Sequence, residues 1–173
     1  MPERYPPEDP REWLNRAKSN LLLARARRKG IYLEDLCFNA QQAVEKAIKA
    51  LLIQRAVAFP YVHDITQLLT LVEQAGVEIP PAVKQGERLT RFAVFTRYPG
   101  VAAPIRPEEL TEAIQTAEEV IRWVEGFLPS TTLSQLEISR AVPLNELQFD
   151  QLDRKSTRLN SSHIQKSRMP SSA

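Results

Sequence analysis

Cys37-Phe38-Asn39-Ala40-Gln41-Gln42-Ala43-Val44-Glu45-Lys46-Ala47-Ile48-Lys49-Ala50-Leu51-Leu52 is the stretch that decides the fold. Its residues Ala40, Ala43, Val44, Ala47, Ile48, Leu51 and Leu52 recur at steps of three and four, the spacing of one face of an α-helix. The spacing predicts a helix over about Leu33 to Arg55. Alanines on the stripe leave room for a neighbouring helix to approach closely. The polar residues Asn39, Gln41, Gln42, Glu45 and Lys46 flank it and have two uses. They face solvent, with pairs such as Gln42 and Lys46 one turn apart, or they form a dimer or partner interface.

Working outward, helical periodicity recurs on both sides. Upstream, a helix is expected from about Glu12 to Lys29, after Pro10 and before Gly30, with Trp13, Ala17, Leu21 and Ala24 inward. Downstream, Pro60 breaks the chain. Asp64 then reads as an N-cap with Gln67 three residues on, in capping-box order. Ile65, Leu68, Leu69 and Val72 form the inner face of this third helix, and Gly76 stops it. Pro80-Pro81 opens a fourth helix, about Ala82 to Tyr98, with Leu89, Phe92 and Phe95 inward and Pro99-Gly100 beyond it. Pro107, Glu108 and Glu109 suit a fifth N-terminus through proline's fixed φ and the helix dipole. Leu110, Ala113, Ile114, Ala117, Val120, Ile121, Val124 and Leu128 then repeat at three and four. No stretch alternates as a strand would, so the expected class is all-α, an antiparallel bundle of about five helices over residues 11–128.

Charge location bears on function. The sequence carries a formal net charge of +2. Five basic residues and no acid fall in residues 154–173, so residues 1–153 hold 18 Lys and Arg against 21 Asp and Glu. Overall basicity is therefore no argument for nucleic-acid binding by the helical part. The cluster Arg25-Arg27-Arg28-Lys29 is its strongest electrostatic footprint, and a solvated helix end is the plainer reading. Residues 154–173 have six serines and no apolar periodicity. They are expected to be disordered and resemble a translated non-native tail. Residues 129–153 read as a weakly structured extension. No apolar run suits a bilayer span or a signal peptide, and Cys37 has no second thiol, so a cytoplasmic location is expected. No metal-ligand cluster, glycine-rich phosphate loop or nucleophile triad is present, and neither a metal nor a cofactor is expected.

The block from Cys37 to Leu52 resembles the signature helix of HEPN domains. His63-Asp64-Ile65 opening the third helix and Thr96-Arg97-Tyr98-Pro99 closing the fourth follow in the order of one branch of that family. The resemblance spans about Trp13 to Leu128. It implies a homodimeric helical bundle, in a branch often encoded beside a minimal nucleotidyltransferase as a toxin–antitoxin or related two-component system. Some members are metal-independent ribonucleases that use an arginine and, four to six residues on, a histidine. Arginine then stabilises a phosphate under attack while histidine moves protons.

This sequence lacks that motif. Of its two histidines, His163 lies in the tail, and His63 follows the nearest upstream arginine, Arg55, by a gap that contains Pro60. Arg91 and Arg97 lie about 240° apart on an ideal helix, unsuited to clamping one phosphate together. The expected function is a nucleotide- or RNA-binding component of a nucleotidyltransferase-linked system, with His63, Arg97 and Tyr98 as the phosphate-binding residues. Two alternatives remain. One is a metal-independent endoribonuclease with His63 and Arg97 as catalytic residues. The other is a non-catalytic helical adaptor in which His63 fixes a turn and Arg97-Tyr98 caps a helix.

Overall fold

A helix that is apolar on nearly every side must lie inside the protein, and the second half of the signature helix has that character. In the computed structural model, which describes residues 2–95 and 104–128, it is the central helix. The elements are α1 (Pro10–Ala24), α2 (Leu33–Gln54), α3 (Ile65–Gln74), α4 (Pro81–Lys84), a 3-10 stretch (Gln85–Arg91), α5 (Phe92–Phe95) and α6 (Pro107–Glu125). No strand occurs among the described residues. Ala47, Ile48, Ala50, Leu51 and Leu52 of α2 are all fully buried, covered chiefly by α1, then α6 and α3.

Local chemistry sets each boundary. Asp9 caps α1, its carboxylate accepting the Arg11 N–H at 2.8 Å, and Pro10 takes the first helical position. This helix ends at Ala24, five residues before the expected stop at Lys29. Arg25, Arg27, Arg28 and Lys29 would crowd like charges into one turn. Instead they lie in the connection that Gly30 closes with φ +92°. Arg25 there pairs with Glu118, and the Arg27 guanidinium donates to the Thr111 hydroxyl at 2.9 Å, both on α6. The inner stripe of α1 is Leu14, Ala17, Leu21 and Ala24, with Trp13 only half-buried beside it.

Asp64 caps α3 by accepting the Thr66 N–H at 2.9 Å. The capping box itself is not formed, because the Gln67 amide donates to the Asp64 carboxylate at 3.3 Å instead of accepting the Asp64 backbone N–H. The largest departure from expectation is the fourth helix. Residues 81–95 form α4, a 3-10 stretch and α5 instead of one α-helix, and residues 96–98 lie outside the described residues. Gly86 marks the break, for a Cβ there would meet Val44 Cγ1 of α2 at 3.2 Å. The segment still buries Leu89 and Phe92, while the side chain of Phe95 falls outside the described residues. Gly86→Val is accordingly expected to overpack this contact and cost about 1–3 kcal/mol in urea unfolding, with no loss of stability refuting the close approach.

The start of α6 is as expected, with Pro107 first and Glu109 in the first turn. The Glu109 carboxylate accepts from the Arg106 N–H at 3.0 Å and from Arg91 at 2.8 Å, tying α6 to the 3-10 stretch. Cys37 is fully buried, and burial pushes its thiol up to about 12. As the thiolate is the reactive form, maleimide labelling of the single cysteine is expected only after denaturation. Fast labelling of the folded protein would contradict its placement. No helix among the described residues is long and apolar enough to cross a membrane.

Candidate functional site

Residues four apart on a helix share a face, and α2 places Gln41, Glu45 and Lys49 in one such row. All three are buried, at 0%, 3% and 5% exposure. Polar groups so placed need partners, and they find them in each other and in the loop leading to α3. Lys49 Nζ donates to Glu45 Oε1 at 2.8 Å and to the Val62 carbonyl at 3.2 Å. Gln41 Nε2 donates to Glu45 Oε2 at 2.9 Å and to the His63 carbonyl at 3.4 Å. No buried side-chain nitrogen or oxygen among the described residues is left without a partner. The Lys49 ammonium also lies 5.6 Å from the Phe59 ring centre and 5.9 Å from that of Trp13, an arrangement that favours a cation.

His63 sits at the mouth of this row. Its Nδ1 is 3.2 Å from Glu45 Oε2, yet its side chain remains 55% exposed. Burial raises the Glu45 carboxyl. Hydrogen bonds from Lys49 and Gln41, the Lys49 charge and the bond to His63 together outweigh it, so the group is held below its usual range. An ionised carboxylate only accepts, so the bond requires Nδ1 to carry the proton. Nε2 is the ring nitrogen that Glu45 does not engage.

Of the three residues expected to bind phosphate, His63 is thus placed against Glu45, whereas Arg97 and Tyr98 lie outside the described residues, beyond the end of α5. Arg91 is already engaged, donating to Glu109 at 2.8 Å with its guanidinium 4.6 Å from the centre of the Phe92 ring. The five polar residues flanking the α2 stripe do not face open solvent. Gln41 and Glu45 are interior. Gln42 is half-buried and donates to Gln41 Oε1 at 2.8 Å, not to a partner one turn on at Lys46. Asn39 and Lys46 both reach Asn20 of α1, at 2.8 and 2.7 Å. Lys49 was not singled out in the sequence, although a polar step of four inside an apolar helix was its available signal. Among the described residues no group of three His, Cys, Asp or Glu side chains stands close enough to hold a metal ion.

The HEPN domain family model matches residues 10–127, from the start of α1 to just past the end of α6. The chain belongs to the HEPN domain family. Two solved structures are similar to this HEPN chain. A protein from Thermus thermophilus is 31% identical with a TM-score of 0.61, the match covering 69% of this chain and 98% of that one. An archaeal HEPN homologue is 28% identical with a TM-score of 0.54, covering 68% of this chain and 96% of that one. No curated protein matches significantly.

Proposed function

We propose that this HEPN protein is the nucleotide- or RNA-binding component of a two-component system whose other member is a minimal nucleotidyltransferase, acting as a homodimer without the usual arginine–histidine ribonuclease motif. The observation that carries the reading is the exposed His63 ring fixed through Nδ1 by a buried carboxylate. A ring held at one nitrogen offers the other as a hydrogen-bond donor or acceptor of defined direction. In this reading Nε2 meets a phosphate oxygen or base, Arg97 supplies the matching charge, and the Tyr98 phenol adds a further donor.

The same observation favours a second reading. A carboxylate that orients imidazole for proton transfer at the opposite nitrogen is the arrangement used in general acid–base catalysis. With Arg97 stabilising the phosphate under attack, the site is then that of a metal-independent endoribonuclease. The binding reading stands ahead of it because the spacing of the family's ribonuclease motif is missing.

Incubating labelled RNA with the protein in the presence of chelator separates the readings. The expected result is salt-sensitive binding of intact RNA, weakened about tenfold or more in His63→Ala and Arg97→Ala. Cleavage that persists in chelator and vanishes in both variants would establish the ribonuclease. Absence of both binding and cleavage leaves a helical adaptor. Co-purification with a co-expressed minimal nucleotidyltransferase from the same genome tests the partner.

A further inference from the structure

A second cleft lies along α1 next to the Lys49 row, sharing Trp13 with it, and is built partly by residues that precede the HEPN match. Residues 3–7 form a strap across α1. The Glu12 carboxylate accepts the Tyr5 N–H at 3.1 Å, Trp13 Nε1 donates to the Pro7 carbonyl at 2.6 Å, and Asn15 Nδ2 donates to the Glu3 carbonyl at 3.1 Å. Between strap, α1 and α2 a cleft of about 510 Å³ is lined by Arg4, Tyr5, Glu12, Trp13, Arg16 and Lys46. Small-molecule sites commonly measure roughly 300–1,000 Å³. The family match begins at residue 10, so Arg4, Tyr5 and Pro7 make this cleft a feature of the chain beyond the shared domain.

Its charges do not balance. Glu12 is its one carboxylate, 6% exposed, and it is shared by Arg4 at 3.1 Å and Arg16 at 2.8 Å. Lys46 is half-buried and donates to the neutral Asn20 amide oxygen at 2.7 Å. No ion pair to Lys46 occurs among the described residues. Burial lowers its pKa, and the nearby Arg16 and Lys49 charges act in the same direction, against the pull of Glu45. Three lining cations face one lining carboxylate, with the Glu3 carboxylate held at the Tyr5 hydroxyl beside them, so the cleft is net positive and suits an anion such as a phosphomonoester, which carries about −1.5 to −2 at neutral pH.

We propose that this cleft binds a small phosphorylated molecule, its phosphate against Lys46, Arg16 and Arg4 and its apolar body against Trp13 and Pro7. The strap is already fastened by the bonds above, so the site needs little reorganisation on binding. Its lining does not include His63, although Trp13 also flanks Lys49 of the neighbouring row.

Isothermal titration calorimetry of the full chain with pyrophosphate, ADP and inorganic phosphate tests it, with adenosine, acetate and a short single-stranded RNA as comparison ligands. Saturable, salt-sensitive binding of the phosphorylated small molecules is expected, with no heat from adenosine or acetate. Lys46→Gln should weaken it about tenfold or more and Lys46→Arg should largely restore it. Lys18→Gln, outside the cleft, should leave it unchanged, and in His63→Ala the Lys46-dependent component should persist. Circular dichroism confirms that each variant is folded. The proposal is overturned if none of the phosphorylated small molecules binds or if Lys46→Gln and Arg16→Gln bind as the unmodified protein does. It is also overturned if only RNA responds to Lys46→Gln, which would make the cleft part of an RNA surface. Loss of RNA binding in His63→Ala with ADP binding retained would separate this site from the other.

Discussion

Glu45→Ala is expected to lower the unfolding free energy by about 3–5 kcal/mol, because it leaves the Lys49 ammonium buried without its counter-charge. Lys49 is 5% exposed, its nitrogen 2.8 Å from the carboxylate that the substitution removes. Against a total stability of roughly 5–15 kcal/mol for a domain of this size, such a loss brings the fold near its limit. Urea denaturation measures it. Replacing both charges, as Glu45→Leu with Lys49→Met, should recover most of the stability, since a buried ion pair exchanged for packed apolar groups is often neutral or better. The double variant would still lack the carboxylate that holds His63. Stability restored without ligand binding would therefore separate the two consequences of one residue.

The same carboxylate makes stability depend on pH with a definite sign. Its folded pKa lies below the usual 4.5, since hydrogen bonds and the Lys49 charge outweigh desolvation. A group depressed in the folded state adds stability above its unfolded pKa and loses it as pH falls through the folded value. The difference in unfolding free energy between the unmodified protein and Glu45→Gln should therefore be full near neutrality and shrink below about pH 4.5. A difference that stayed constant into acid would mean that the Glu45 charge does not stabilise the fold.

Ile48→Ala carries the second large effect, about 2–5 kcal/mol, against about 0.5–1.5 for Ile48→Val. Ile48 is fully buried in α2, where deleting three carbons leaves a cavity that close-packed neighbours fill only in part. Equilibrium unfolding of the two variants gives the ratio. Near-equal losses would mean that the site collapses freely and that α2 is less central than its burial implies.

Periodicity made most of this fold legible. The steps of three and four in α2 and α6 placed Leu51, Leu52, Leu110 and Val124 inside, where the structure has them fully buried. Periodicity fails where tertiary contacts override local preference. Nothing within residues 82–98 announces that Gly86 comes against Val44, and that approach accompanies the break in the expected fourth helix. Nor does sequence spacing reveal that the basic run after Ala24 leaves α1 to meet Glu118 and Thr111. At the candidate site, His63 was visible as a lone histidine before an N-cap. Glu45 was visible only as a polar flank. A period of four in polar residues looks the same whether the face meets water or a buried loop, so the Gln41, Glu45 and Lys49 row required the position of Val62 and His63 to be understood.

We propose that Glu45 holds His63 at Nδ1 so that Nε2 meets a phosphate-bearing ligand. The sequence has two histidines, so imidazole nitrogen and carbon resonances are readily assigned by substitution. Titrating the chelator-treated protein with a short RNA while recording them tests this arrangement. The His63 ring is expected to carry its proton on Nδ1 in the free protein, to shift on adding RNA, and to lose both properties in Glu45→Gln. His63 resonances that stay fixed while the backbone reports saturated RNA binding would contradict it.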